Sequence, residues 1–421
     1  MKILLSFFKY IIYEVAIVFA LILLLNNYVG NAEETINADG IGYYEYLPSI
    51  LIHHDLYRKG DPVNKTSIKN NRIDSTGVYV EYDGYKVNKY PCGTALLQLP
   101  FFVYTYLSSE RSGDMLDGYQ RPFQRTVFHA AIFYLFFVLL FLKKILTLYD
   151  VKTHVIVFCQ FILVMGTSVT HYVNYDAAFS HVYSLFAITV FIYYMKLYMR
   201  DKSMLQLAVA SFFLGLIFIL RQPNILVVLF VPFLAGSRNN FIDLLKSLFG
   251  NLRSLALSVF LFFGVLSIQS LLWYLQTGHL FIYSYQGETF DFLNPHFIDV
   301  LFSYRKGFFI YTPIMLIAAL SMGWYAYKKH HFLLLTWFGF FVLLTYFLSS
   351  WWSWYYGCSF GLRAYVDYYV LFLIPFAVML NGVSKLFRFL IIGLSLFTVP
   401  LNLIQTYQYN RYILHWIDMD K

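Results

Sequence analysis

The sequence predicts an all-α polytopic membrane protein of about eleven transmembrane helices, with juxtamembrane helices on its outer side. Three observations carry this. Of 421 residues, 59% are hydrophobic and only 13% charged, about half the charged share of a soluble domain, so no water-facing surface could cover so much apolar side chain. The apolar residues fall in blocks of roughly 17 to 25, the length a helix needs to cross about 30 Å of hydrocarbon. Lys and Arg fall in short clusters between those blocks, as in cytoplasmic loops. The formal charge of +8 therefore reflects topology, and no nucleic-acid partner is expected.

The first block, residues 10–25, follows Lys2 and Lys9 in the manner of a signal peptide. It contains Glu14 and ends in Asn26-Asn27-Tyr28 without a small-residue cleavage site, so it reads as a retained span. The next apolar stretch, 94–108, is short and interrupted by Pro100. Counted as a crossing, it would place Lys143-Lys144, Lys196-Arg200-Lys202 and Lys328-Lys329 outside; read as a juxtamembrane or re-entrant helix, it places all of them inside. The remaining spans are 126–142, 153–173, 178–195, 204–220, 224–235, 254–275, 307–327, 332–348, 364–380 and 387–404. Span 224–235 is short, but Pro223 suits a first helical turn, and Arg238, Lys246 and Arg253 after it belong inside. The N-terminus then lies in the cytoplasm and the C-terminus outside.

Three outer segments result: 26–125, 277–306 and 349–363. The first extracytoplasmic loop, 26–125, carries an amphipathic stretch at 43–56 and a Lys-, Asn- and Asp-rich segment at 58–89. Within the latter, Tyr82-Asp83-Gly84-Tyr85 is a turn signal for a small hairpin. No internal repeat divides the chain, which reads as one domain over 1–421. Of three cysteines, Cys92 and Cys358 share the outer side and can pair there, but the number is too small for a disulfide framework.

The ionisable residues that stand out all fall on that outer side. Asp39 lies in Asn-Ala-Asp-Gly-Ile-Gly-Tyr43-Tyr44, where glycines let the backbone pass close to a ligand; a solvated loop acid beside a glycine turn fits as well. Asp176 fills the turn between two spans, close enough in sequence to meet His181, and a polar helical hairpin would also need such a turn. His181, one turn into a span, requires a cavity or a partner. Arg221, in Arg-Gln-Pro-Asn224, sits at a span end, positioned either for a polar cavity or for lipid headgroups. Arg305-Lys306-Gly307 breaks the positive-inside pattern and suits a lipid phosphate or headgroup anchoring. The run Trp351-Trp352-Ser353-Trp354-Tyr355-Tyr356 combines interfacial anchors with rings able to stack on sugars. Arg363 and Asp367 close it at i, i+4, a spacing that orders an arginine toward a phosphate or forms a plain ion pair.

Together these motifs and the succession of first span, large outer loop and multi-span bundle resemble the GT-C superfamily of polyprenyl-phosphate-sugar-dependent glycosyltransferases. That group includes protein O-mannosyltransferases and bacterial lipid A aminoarabinose transferases. The resemblance rests on Asp39-Gly-Ile-Gly-Tyr43-Tyr44, Ser180-His181, Arg221-Gln-Pro-Asn224, Arg305-Lys306-Gly307 and Ser359-Phe-Gly-Leu-Arg363. It implies Asp39 as general base and Arg363, Arg305, Lys306 and Arg221 as holders of the donor phosphate. Tyr43, Tyr44, Asp176, His181, Trp354 and Asp367 would surround the substrates. The implied donor is a polyprenyl-phosphate sugar and the acceptor a glycan, lipid or protein, in contact with membrane lipids. The setting is the bacterial plasma membrane, with the site facing outward.

No cofactor or metal is expected, and in His53-His54-Asp55 the adjacent histidines diverge on a helix. Several families of the group show an Asp-Glu pair where this chain has Asp39-Gly40, with Glu45 the next acid, which leaves sugar and acceptor open. A lipid-linked sugar transporter or flippase would place its polar residues at mid-membrane. An O-antigen polymerase or ligase, or a non-catalytic subunit, would not need Asp39.

Overall fold

In the computed structural model, residues 2–29, 34–54, 56, 77–110 and 116–414 are described. Asp55 and most of the polar segment 58–89 lie outside the described residues. The apolar blocks form helices. Among the described residues, seven are long and apolar enough to cross a membrane: Lys9–Asn27, Arg121–Thr147, His181–Asp201, Leu252–Thr277, His331–Ser349, Arg363–Gly382 and Lys385–Asn410. Shorter apolar helices occupy Thr153–Met165, Met204–Leu220, Gln222–Ala235 and Pro313–Tyr327, at the positions of the remaining expected spans.

Local chemistry explains why those four are short. The 153–173 block stops at Gly166, after which the Thr170 hydroxyl takes the Val164 carbonyl (2.6 Å) and the chain turns irregularly toward His181. The 307–327 block breaks at Thr312 (φ −139°, ψ 64°), because the residue before Pro313 is pushed out of the helical region. Gln222–Phe230 is a 3₁₀ helix, opened by Pro223, that becomes α only at Val231–Ala235. Lys196 caps the end of that segment through the Leu234 carbonyl (2.7 Å).

The Arg363–Gly382 helix is the central one, with 89% of its apolar window buried, whereas Leu252–Thr277 at 11% is peripheral. Glu14, which is costly inside an apolar span, is fully buried between Lys143 (2.9 Å) and Gln160 (2.7 Å).

The interrupted stretch at 94–108 forms a helix, Gly93–Glu110, that packs along the first half of Arg121–Thr147. Phe102 meets Phe123 (5.1 Å), and Tyr134 donates to the Leu97 carbonyl (2.8 Å), well away from the Lys143-Lys144 end. The amphipathic stretch becomes two short helices, Ala38–Tyr44 and Tyr46–Leu51, and begins earlier than the pattern suggests, taking Asp39 into its first turn. The hairpin is present. β1 (Tyr79–Tyr82) pairs antiparallel with β2 (Tyr85–Asn88), and Asp83 (φ 49°) and Gly84 (φ 79°) form the turn. Val87 packs it on Trp273 and Ile282.

Candidate active site

Four helix ends converge with the segments 34–54, 89–92, 278–296 and 350–362 around a cavity of about 680 Å³. His181 begins one helix, Arg221 ends another, Gln222–Ala235 starts beside it, and Arg363 opens the central helix. These same helices carry basic residues at their opposite ends: Lys196 and Arg200 on the first, Lys202 before the second, and Lys385 and Arg388 after the last. The site residues therefore gather at the end of the bundle away from the lysine clusters.

Asp39, Tyr43, His181, Arg221 and Arg363 all line the cavity. The Asp39 carboxylate forms an ion pair with Arg363 Nη1 at 2.6 Å, with side-chain exposures of 29% and 15%, so the pair faces the cavity without leaving its wall. Burial pushes the Asp39 pKa up; Arg363, the Tyr90 hydroxyl and Lys89 outweigh it and hold the carboxyl below its usual range. The local fold is tight. A Cβ on Gly40 would lie 2.7 Å from Ala178 Cβ, and one on Gly42 would lie 2.1 Å from the Tyr90 ring. These glycines thus admit neighbouring protein segments, not a ligand. Asn88, at the end of β2, donates to the Gly42 carbonyl (2.7 Å) and locks the hairpin to the Asp39 helix.

Asp367 is fully buried behind the cavity and joins three helix ends. It accepts from His181 Nδ1 (2.7 Å), Arg221 Nη1 (3.2 Å) and Asn224 Nδ2 (2.7 Å). The expected i, i+4 pairing of Arg363 with Asp367 does not occur. Residues Arg363–Tyr368 are 3₁₀, in which i and i+3 eclipse, and each side chain finds a partner from another segment.

Other expectations are corrected. Asp176 does not meet His181; its carboxylate accepts from His171 Nε2 (2.8 Å), which the polar turn itself supplies. Lys306 is fully buried and donates to the Ser359 carbonyl, and burial pushes its ammonium down to about 7. It is not placed to hold a phosphate in the cavity. The Arg305 guanidinium lies over the Tyr355 ring at 3.6 Å, behind the cavity wall. Tyr44 is core, its hydroxyl on the Gly118 carbonyl (2.6 Å), and Trp354 stacks on His296 (5.5 Å). Glu45, the next acid after Asp39, is buried against Tyr119 and Ser49 and does not line the cavity. All three cysteines are free thiols.

The structure adds residues that the sequence pattern did not single out. Lys89 and Glu288 pair across the cavity wall, joining the end of the hairpin to the 278–296 loop. Tyr90 and Tyr285 line the same wall, and Asn224, noted only as part of a motif, ligates Asp367. Lys89 was masked by the charged stretch it ends, and nothing in the sequence ties it to Glu288.

Phe218, Ile225, Leu226 and Leu266 add apolar surface to the cavity lining. It thus offers charge, hydroxyls and hydrocarbon within one cavity. No family model, curated protein or solved structure matches the chain.

Proposed function

We propose that this chain is a membrane glycosyltransferase, moving a sugar from a polyprenyl-phosphate donor to an extracytoplasmic acceptor with inversion. The observation that carries the reading is the Asp39–Arg363 pair at 2.6 Å in a cavity whose lining also holds apolar side chains. Such a cavity suits an amphipathic ligand, with hydrocarbon against Phe218, Leu226 and Leu266 and an anionic head against Arg363 and Arg221.

The chemistry follows from that placement. The acceptor hydroxyl oxygen attacks the anomeric carbon, the bond from that carbon to the phosphate oxygen breaks, and the hydroxyl proton passes to Asp39. The departing polyprenyl phosphate carries the negative charge, which Arg363 and Arg221 stabilise. Arginine has five N–H donors, so Arg363 can hold Asp39 and a phosphate oxygen together. In this reading base and leaving group flank one carbon. His181, Asn224 and Asp367 keep Arg221 in place.

This reading extends to topology. The four shorter apolar helices join the seven long ones as crossings, about eleven in all, with the N-terminus cytoplasmic and the cavity facing outward across a bacterial plasma membrane. The Gly93–Glu110 helix stays on the outer surface.

The test is transfer of radiolabelled sugar from polyprenyl-phosphate-linked sugars to a cell-envelope fraction by protein purified into nanodiscs. Asp39→Asn should lower the rate by about 10²–10⁴-fold, the usual contribution of a general base. Undiminished transfer by a correctly folded Asp39→Asn protein would overturn the assignment.

A further inference from the structure

We infer that the acceptor is a carbohydrate chain, held on a track of aromatic rings that runs from Asp39 to the cavity rim; this rests on the proposed transfer reaction. The track starts at Tyr43, one helical turn from Asp39, and at Tyr90, which lines the cavity beside it. From there the ring centroids step from Tyr43 to Tyr90 (4.8 Å), Tyr285 (6.3 Å), Trp351 (6.0 Å) and Phe290 (4.7 Å). All five line the cavity, as does Trp352, which is 56% exposed. Exposure grows along the path. Tyr43 and Tyr90 are 6% exposed, whereas Tyr285, Trp351 and Phe290 are half-buried.

Four separate segments contribute these rings: the Asp39 helix, the chain after the hairpin, the 278–296 loop and the segment after His331–Ser349. A run of interfacial anchors would come from one segment and face lipid, as single belt residues do. This arrangement is instead a tertiary feature directed into one cavity. Aromatic faces match the C–H faces of sugar rings, and the Lys89–Glu288 pair on the same wall offers both a donor and an acceptor to hydroxyls.

An extended polypeptide acceptor fits less well. It would bind through backbone hydrogen bonds to an open strand edge. Here the backbone of the wall is already paired with itself: Asp291 N donates to the Ser350 carbonyl (2.7 Å) and Trp352 N to the Thr289 carbonyl (3.1 Å). Among the described residues, no member of β1 or β2 lines the cavity. A hydrocarbon chain has no use for Lys89 and Glu288.

The experiment measures binding separately from transfer. Protein in detergent is applied to an array carrying bacterial cell-surface oligosaccharides and Ser- and Thr-containing peptides. In parallel, decaprenyl phosphate binding is followed by native mass spectrometry. Oligosaccharides should be retained and peptides not. Trp351→Leu and the more exposed Trp352→Ala should each weaken retention roughly tenfold, with decaprenyl phosphate binding unchanged. Retention of peptides but no oligosaccharide, or oligosaccharide binding indifferent to both substitutions, would overturn the inference. Oligosaccharide binding that depends on Trp352 without any sugar transfer would instead count against the transfer reaction and leave the carbohydrate site standing.

Discussion

Asp39 and Arg363 set each other's behaviour. With its pKa held down by Arg363, Asp39 stays ionised to lower pH than an ordinary aspartate, near 3.9. As the proposed base it is therefore ready throughout the neutral range, and the acid limb of kcat/KM should fall below about pH 4. An acid limb at pH 6 to 7 would assign the base to another group. The sign for stability is the same. Because the folded pKa lies below the unfolded one, the pair stabilises the fold fully above about pH 4 and ceases to do so as pH falls through the lowered value. Arg363→Met removes the strongest opposing charge and leaves burial, so the acid limb in that variant should move upward. His181, Arg221 and Arg363 were legible in the sequence, because an ionisable residue at the end of an apolar block needs an explanation, whereas Asp39 stood out through its glycine-flanked motif. Their partners were not legible. Arg363 has Asp367 as its nearest acid in sequence and Asp39 as its partner in space, and only tertiary packing chooses between them.

At the scale of elements, Asp367 ties together His181–Asp201, Arg221 at the end of Met204–Leu220, and Asn224 in the 3₁₀ segment. Asp367→Leu would leave the Arg221 charge buried without its carboxylate, a loss of about 3–5 kcal/mol for a broken buried pair. A thermal shift assay in detergent should show a large drop in Tm, and Asp367→Glu should recover much of it. Gly93 tests a different contact. A Cβ there would sit 2.5 Å from the Ile219 carbonyl oxygen, where backbone cannot give way as a side chain would. Gly93→Ala should lower stability by about 1–3 kcal/mol, the usual cost of overpacking. An unchanged Tm would mean that the Gly93–Glu110 helix does not seat against Met204–Leu220 as described. Helix positions were legible from block length, and the hairpin from Asp83-Gly84, since both follow from local periodicity and turn chemistry. The breaks at Gly166 and Thr312 were missed because block length alone set those spans, although Gly166-Thr167-Ser168 and Pro313 mark both in the sequence.

For the whole molecule, the proposed sidedness is the claim on which the rest depends. The helices carrying His181, Arg221 and Arg363 place Lys196, Arg200, Lys202, Lys385 and Arg388 at the opposite end of the bundle. By the positive-inside tendency that end is cytoplasmic, and the cavity must then open outward. The Gly93–Glu110 helix is the hinge of this reading, since counting it as a crossing would invert every later span. Its packing along the half of Arg121–Thr147 that contains Phe123 and Tyr134 keeps it away from Lys143. Cysteine labelling can decide the matter. Cys92 and Cys159 are buried and Cys358 partly so, so a Cys358→Ser background should be nearly silent to a membrane-impermeant maleimide in intact cells. Single cysteines at the exposed positions Asp83 and His296 should then react from outside, whereas those at Arg200 and Lys329 should react only after permeabilisation. External labelling at Arg200 together with protection at His296 would turn the cavity toward the cytoplasm. The Asp39–Arg363 pair would then meet a different pool of substrates, and an extracytoplasmic acceptor could not reach it.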